Sequence, residues 1–123
     1  MFEVTVTLNF SAAHRILDYA GKCEALHGHN WKIEIKACSR ELDQQGMVID
    51  FNLLKLLAKE VIAELDHRYL NDHPYFKERA PTAENISYFL FTEIYRRLKP
   101  PVALKGVKVW EKDDSFAEYK NTI

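Results

Sequence analysis

The sequence predicts an α+β fold in which a four-stranded antiparallel sheet carries two helices on one face. Near both ends of the chain, apolar and polar residues alternate, as they do in half-buried strands. In the middle of the chain, apolar residues recur every three or four positions, as they do in amphipathic helices. The resulting order β-β-α-α-β-β favours an antiparallel sheet with the helices packed on one side.

Length and composition exclude several classes of protein. At 123 residues and 47% hydrophobic content, the chain is predicted to form one domain over 1–123 with a core that needs no disulfides. A formal net charge of -1 gives no reason to expect nucleic acid or an anionic membrane as a partner. No apolar run could cross a bilayer, and the first residues lack the pattern of a signal peptide. With two cysteines and no disulfide framework, we expect a reducing cytoplasm.

The first two strands are predicted from regular alternation. The even positions over 2–10 are apolar and the odd positions between them are polar, which indicates a half-buried strand. A bulge within 11–13 would change the phase of the residues that follow. The second strand is predicted over 31–37, where apolar residues alternate with charged ones.

Two helices are predicted to follow these strands. The first begins after a cap at Asp50 or Asn52 and is closed by residues 66–67. Thr82, which follows a proline, caps the second helix, and a pair of prolines at 100–101 stops it. The buried stripe of the first helix is predicted to consist of Leu53, Leu54, Leu57, Val61 and Leu65. The buried stripe of the second helix is predicted to consist of Ile86, Phe89, Leu90, Ile94 and Leu98.

The last two strands are predicted over 106–112 and 116–120, with a turn between them. Glu111 has the parity of Val107 and Val109, so its carboxylate lies at or near the apolar face. A buried carboxylate is costly without a partner. That partner could be a nearby lysine or a pair of N–H groups on a ligand.

Three histidines form a candidate metal site. His27 and His29 flank a glycine, and side chains two apart in an extended segment point the same way, so both can bind one ion. His14 is the third candidate, because it keeps the phase of the first strand's apolar face. Imidazole suits Zn²⁺, and three protein ligands with an open fourth position are typical of a catalytic zinc. The alternative is three core or surface histidines that happen to lie close together.

Two further groups could take part in chemistry. Cys23 lies four residues before His27, and it could be a fourth zinc ligand, an inert thiol, or a base or nucleophile. A thiol beside a cation loses its proton more easily, which favours the last role. Asp66 and His67 could form a proton relay, in which the carboxylate orients the imidazole. Alternatively, the dipole at the end of the first helix stabilises a charged His67.

Six short motifs follow one another through nearly the whole chain. They lie at 10–14, 23–29, 46–51, 65–71, 81–85 and 110–111. Together they resemble the 6-pyruvoyltetrahydropterin synthase family. The spacing from the thiol to the histidine pair is similar to that of the bacterial branch, which makes 6-carboxy-5,6,7,8-tetrahydropterin in the queuosine pathway. The pyruvoyl-forming branch has a longer gap there, and the branch that forms 6-hydroxymethyl-dihydropterin has a glutamate in place of the cysteine.

The resemblance implies three groups of site residues. The ligands of a Zn²⁺ cofactor would be His14, His27 and His29. The groups that transfer protons would be Cys23, Asp66 and His67. The pterin would be bound by Glu111, Thr82, Ala83 and Glu84. Of these four, Glu111 would hold the amino-pyrimidine edge of the pterin.

The resemblance also implies an activity and an assembly. The substrate would be 7,8-dihydroneopterin triphosphate, and a carbon–carbon lyase would convert it to 6-carboxytetrahydropterin, acetaldehyde and triphosphate. The fold would be the tunnelling fold, in which the sheets of neighbouring subunits join into a barrel, commonly in a homohexamer made of two trimers. One alternative is a relative that forms a pyruvoyl or hydroxymethyl product. The non-enzymatic alternative is a small zinc-stabilised binding domain, in which Cys23 completes a structural site.

Overall fold

The described residues are 1–17 and 25–122 of this computed structural model. Besides two 3₁₀-helices of three residues, Leu70–Asp72 and Pro74–Phe76, their regular structure consists of five strands and two α-helices. In chain order they are β1 (Phe2–His14), β2 (His27–Ser39), α1 (Phe51–Ile62), β3 (Arg68–Tyr69), α2 (Ala83–Tyr95), β4 (Ala103–Lys112) and β5 (Ser115–Lys120). The strands form one sheet in the order β3-β1-β2-β4-β5, in which only β3 runs parallel to its neighbour. The α+β fold and the four antiparallel strands are therefore confirmed. The short β3 was not predicted, because two residues are too few to show alternation.

β1 and β2 form one long antiparallel pair. Each strand has 13 residues, and the pairing runs without interruption from Phe2 opposite Ser39 to His14 opposite His27. Both strands are longer than the predicted 2–10 and 31–37, and no bulge interrupts β1 in this pairing. Because the phase is kept, the end of each strand carries its side chains on the same face as the apolar residues before it.

The helices cover the face of the sheet on which these apolar side chains lie. The buried residues of that face include Val6, Leu8, Phe10, Trp31, Ile33, Ile35, Val107 and Val109. The opposite face of β1 presents exposed Glu3, Thr5 and Thr7. Burying one large apolar side chain stabilises a fold by about 1.5–3 kcal/mol, so this alternation decides which face receives the helices.

α1 begins as predicted and ends earlier than predicted. The carboxylate of Asp50 accepts a hydrogen bond of 2.7 Å from the Asn52 backbone N–H, so Asp50 is the cap. The helix ends at Ile62, not at 66–67. Leu53 was predicted to be buried, but it is 47% exposed, because it lies one position away from the face that meets the sheet. The residues buried on that face and just beyond it are Leu54, Ala58, Val61, Ile62 and Leu65.

α2 is capped by Thr82, whose hydroxyl accepts a hydrogen bond of 3.1 Å from the Asn85 backbone N–H. The helix ends at Tyr95, so Leu98 lies beyond it but still packs against the core. The other four residues of the predicted stripe are buried. Across the described part of the chain, the helices are too short or too polar for any of them to span a membrane.

Candidate metal centre

Three imidazoles and one carboxylate meet at one end of the sheet. His14 ends β1, His27 and His29 begin β2, and Glu111 lies near the end of β4. Each residue offers one ligand atom, and all four atoms lie within 4.8 Å of one another. The centroids of the three imidazole rings are 4.5 to 5.3 Å apart. The structure thus brings together the three histidines that were predicted to hold a metal, and it places Glu111 in the same group.

The register of β1 and β2 accounts for this convergence. His14 lies opposite His27, and His29 lies opposite Ala12, so all three imidazoles emerge on the core side of the sheet. Trp31 is fully buried beneath them, with its ring edge-on to His14 at 4.9 Å and to His29 at 5.4 Å. The imidazoles therefore stand at the rim of the core, with an apolar wall on one side.

Backbone carbonyls orient two of the rings. His14 Nδ1 lies 2.7 Å from the Pro81 oxygen, and His27 Nδ1 lies 2.8 Å from the Ala25 oxygen. A carbonyl can only accept, so each Nδ1 carries a proton, and in its neutral form such a ring presents a lone pair at Nε2. These two Nε2 atoms are only 3.0 Å apart. Such lone pairs repel unless a proton or a metal ion lies between them, and metal-binding histidines commonly donate their other N–H in this way.

His29 supplies the third nitrogen. Its Nε2 is buried and has no hydrogen-bond partner among the residues that the structure describes. Burial lowers the pKa of the His29 imidazole, and the charge of Glu111 opposes that shift only in part, so the ring is neutral at pH 7. A buried polar atom without a partner costs about 1–3 kcal/mol, which a cation bound to the lone pair of this nitrogen would offset. The donor set fits a divalent first-row metal ion, of which zinc is one.

Glu111 stands between the imidazoles and a cavity. Its Oε1 lies 3.2 Å from His14 Nε2, and the side chain is 32% exposed. No ion pair among the described residues joins it to a lysine, so the lysine partner considered from the sequence is not found there. Glu111 keeps the parity of buried Val107 and Val109, and β4 and β5 shift register around it, between Trp110 and Lys112. The cavity, of about 290 Å³, is lined by Glu111, by Thr82, Ala83 and Glu84, and by Ile16, Ser115, Phe116 and Ala117.

Asp66 and His67 lie at the edge of the sheet, outside the group of four ligand atoms. Asp66 Oδ1 accepts a hydrogen bond of 3.0 Å from the Ser11 backbone N–H and lies 3.0 Å from His67 Nδ1. The hydrogen bond from Ser11 lowers the pKa of Asp66. The His67 side chain is 82% exposed. Because α1 ends at Ile62, His67 is not in its last turn, and the helix-dipole interpretation of His67 is wrong.

One residue predicted for the site is not described in the structure, and two residues without a predicted role help to position the site. Cys23 lies outside the described residues. The Asn71 amide accepts a hydrogen bond of 3.0 Å from the Arg15 N–H and donates one of 2.9 Å to the Arg15 carbonyl, directly after His14. Its place in the motif at 65–71 was the one signal for it. Pro81 opens the motif at 81–85, but the role of its carbonyl in orienting His14 could not be predicted, because a backbone oxygen has no residue type.

Comparison with known proteins gives consistent matches. The family profile described as PTPS, 6-pyruvoyl tetrahydropterin synthase, matches residues 3–122. The 6-carboxy-5,6,7,8-tetrahydropterin synthase of Rickettsia typhi is 34% identical, over 96% of this chain and 99% of that protein. The protein of the same name from Aquifex aeolicus is 32% identical, over 97% of this chain and 98% of that protein.

Solved structures agree with this result. The 6-pyruvoyl tetrahydropterin synthase of Caenorhabditis elegans has a TM-score of 0.86 at 29% identity, covering 98% of this chain and 96% of that chain. A catalytic-residue mutant of the Plasmodium vivax 6-pyruvoyltetrahydropterin synthase has a TM-score of 0.79 at 21% identity, covering 99% and 98%, and shows likeness of fold alone. The fold is the tunnelling fold, and the chain is an enzyme of the lyase type, which disfavours the non-enzymatic binding domain. Since the profile and the relatives span almost its whole length, the chain belongs to the 6-pyruvoyl tetrahydropterin synthase family.

Proposed function

We propose that the protein is a zinc-dependent 6-carboxy-5,6,7,8-tetrahydropterin synthase. It would convert 7,8-dihydroneopterin triphosphate and water to 6-carboxytetrahydropterin, acetaldehyde and triphosphate, in the biosynthesis of queuosine, a 7-deazaguanine. The observation that carries the proposal is the convergence of three imidazoles beside a cavity lined by the residues predicted to bind a pterin. The names of the curated relatives support the carboxy product over the pyruvoyl one.

His14, His27 and His29 would hold the zinc ion. When bound, zinc supplies Lewis acidity, which makes the two adjacent hydroxyls of the substrate side chain easier to deprotonate. Pro81 and Ala25 keep His14 and His27 in the tautomer that presents Nε2. The apolar wall formed by Trp31 excludes water from one side of the group.

Glu111 would bind the pterin ring. The amino-pyrimidine edge of a pterin presents neighbouring N–H donors, and a carboxylate can accept two such bonds side by side. Glu111 lines the cavity next to the imidazoles, which would place the substrate side chain towards them. Thr82 uses its hydroxyl to cap α2, so it would contribute the wall of the cavity more than a free donor.

Cys23, Asp66 and His67 would move protons. The contact between Asp66 Oδ1 and His67 Nδ1 orients the imidazole and leaves its Nε2 to exchange a proton. His67 is exposed and stands apart from the three zinc-binding imidazoles. In a homohexamer with active sites between subunits, as the resemblance implies, His67 would serve the site of a neighbouring subunit.

Cytoplasmic location and a single domain over 1–123 stay predictions.

Metal removal tests the proposal. Chelation should abolish the release of acetaldehyde from 7,8-dihydroneopterin triphosphate, and stoichiometric zinc should restore it. Circular dichroism should show that the chelated protein keeps its fold, because the histidines lie at the rim of a core that is built without them. Unfolding on chelation would instead indicate a structural metal. Turnover that persists without metal would contradict zinc dependence.

One observation favours a second candidate. The Caenorhabditis elegans 6-pyruvoyl tetrahydropterin synthase resembles this chain over nearly its full length. A pyruvoyl-forming enzyme would use the same metal site and pocket but would retain the side chain. Release of triphosphate without acetaldehyde would therefore favour this candidate.

A further inference from the structure

We propose that Glu111 is a fourth metal ligand in the substrate-free enzyme and that a pterin entering the cavity draws its carboxylate away. This inference rests on the proposed function, since it uses the same metal and the same pterin pocket. It gives Glu111 two alternating partners. The coordination position needed by the substrate would then open only when the pocket is filled.

Distances within the group suit a four-ligand site. A tetrahedral zinc ion with bonds of about 2.0–2.1 Å separates its ligand atoms by roughly 3.3 Å. His14 Nε2 lies 3.0 Å from His27 Nε2 and 3.2 Å from Glu111 Oε1. All four ligand atoms, including the one from His29, fall within 4.8 Å of one another. The carboxylate is thus as close to His14 as a second imidazole is.

The contact between Glu111 and His14 itself calls for a cation. Because His14 Nδ1 donates to the Pro81 carbonyl, the neutral ring presents a lone pair at Nε2. A carboxylate oxygen 3.2 Å from that lone pair is repelled unless a metal ion or a proton lies between the two atoms. The same requirement holds between His14 Nε2 and His27 Nε2. One metal ion satisfies both contacts, whereas a single proton satisfies one of them.

Charge balance also favours the carboxylate as a ligand. Three neutral imidazoles leave the two positive charges of a divalent ion uncompensated at the edge of an apolar core. Glu111 supplies one negative charge, and no lysine among the described residues forms an ion pair with it. A carboxylate on the metal therefore stabilises the substrate-free site.

The cavity offers Glu111 its second partner. The carboxylate lies between the imidazoles and the cavity that Thr82 and Phe116 also line. Rotation of a partly exposed side chain would turn its oxygens from the metal to the N–H groups of a pterin. Two neighbouring N–H groups would take both carboxylate oxygens, so pterin binding and Glu111 ligation compete.

Metal affinity without substrate tests the first half of the inference. Zn²⁺ affinity is measured by competition with a chromogenic chelator for the wild type, Glu111→Gln and Glu84→Gln. Glu84 is the matched control, because it lines the same cavity but is not one of the four ligand-bearing residues. Glu111→Gln should weaken Zn²⁺ binding by about 10–100-fold, as loss of a metal-site group commonly does. Affinity within twofold of the wild type for Glu111→Gln, or an equal loss for Glu84→Gln, would overturn the inference.

The absorption spectrum of the Co²⁺-loaded wild type tests the second half without depending on how a variant folds. Unsubstituted pterin is the probe, because it fills the ring pocket but has no side-chain hydroxyls to bind the metal. Its binding should shift the Co²⁺ bands, because the metal loses one ligand. Saturation by pterin with unchanged bands would show that the pterin does not draw Glu111 from the metal, and would overturn the inference.

Failure of the inference and failure of the proposed function can be separated. If Glu111→Gln keeps its Zn²⁺ affinity while the wild type makes the carboxy product, the inference fails alone. If Glu111→Gln loses affinity as expected but the wild type makes no carboxy product, the fourth ligand stands and the proposed function fails.

Discussion

His14 is the side chain on which most of the site converges. The Pro81 carbonyl fixes one nitrogen of its ring, while the other nitrogen faces both His27 and Glu111. The ring is 1% exposed and packs edge-on against Trp31. A side chain held from so many directions loses little conformational entropy when it binds a metal. Removing His14 should therefore weaken metal binding more than removing an exposed histidine would.

His14→Ala should lose stoichiometric zinc, because two remaining imidazoles and a carboxylate no longer surround the ion. His73→Ala is the matched control, since His73 pairs with Glu64 and is not among the described residues that group around a metal. Zinc content after gel filtration, measured by atomic emission, checks the prediction. Full zinc content in His14→Ala would contradict it.

At the scale of elements, the segment after α1 holds the end of β1 in place. β3 pairs with Ala12 and Ala13 of β1. Next to them, the Asp66 carboxylate accepts a hydrogen bond from the Ser11 backbone N–H, and the His67 backbone N–H donates one of 2.6 Å to the Ser11 carbonyl. Asn71 then binds both backbone groups of Arg15. His14 therefore lies in a stretch whose backbone is fixed on both sides.

Asp66→Asn should destabilise the protein at neutral pH and matter less in acid. The Ser11 N–H lowers the pKa of Asp66 below its usual 3.8, so the charged carboxylate favours the folded state. That contribution is fully present above pH 3.8 and is lost as pH falls through the folded-state pKa. Thermal unfolding across acid pH should show the wild type and the variant converging. A gap that widens as pH falls would contradict this prediction.

Asn71→Ala should lower the free energy of unfolding by about 1–3 kcal/mol, because two hydrogen bonds are lost, each worth roughly 0.5–1.5 kcal/mol. It should also weaken zinc binding, since the strand end next to His14 is released. Asn52→Ala is the control, because its structural hydrogen bond to Asp50 comes from the backbone. Urea unfolding of the metal-free protein and chelator competition give the two results. An unchanged zinc affinity would limit Asn71 to a role in stability.

Sequence reasoning predicted the elements that repeat a pattern and missed those that depend on tertiary contact. Alternation predicted β1 and β2, and capping chemistry predicted where both helices begin. β3 exists because of its partner β1, and its two residues carry no pattern of their own. Leu53 has the composition of a buried residue, yet the direction in which α1 packs leaves it exposed. Parity predicted the face on which Glu111 lies, but its closeness to His14 depends on how β2 pairs with β1 and β4, which no residue type announces.

At the scale of the whole molecule, the sheet of one chain has open edges. β3 covers β1 only at Ala12 and Ala13, which leaves the outer edge of β1 over 2–10 without a strand partner among the described residues. β5 lies at the other end of the sheet and exposes 47% of Phe116. Long open edges promote pairing with another chain, which fits the joined sheets of a barrel.

We therefore predict a homohexamer. Light scattering coupled to gel filtration should give six times the 14.4 kDa mass of the chain. Since His67 would act on a neighbouring site, activity should fall on dilution below the concentration at which the assembly dissociates. A monomer with full specific activity would contradict both the assembly and the shared site.

The product made from 7,8-dihydroneopterin triphosphate is the most direct test of the proposed function. The zinc-loaded protein is incubated with this compound under reducing conditions, and the pterin product is identified by mass spectrometry. We expect 6-carboxytetrahydropterin, with acetaldehyde released in equal amount. A pterin that carries a pyruvoyl side chain, or a hydroxymethyl pterin, would contradict the assignment while leaving the metal site and the fold in place.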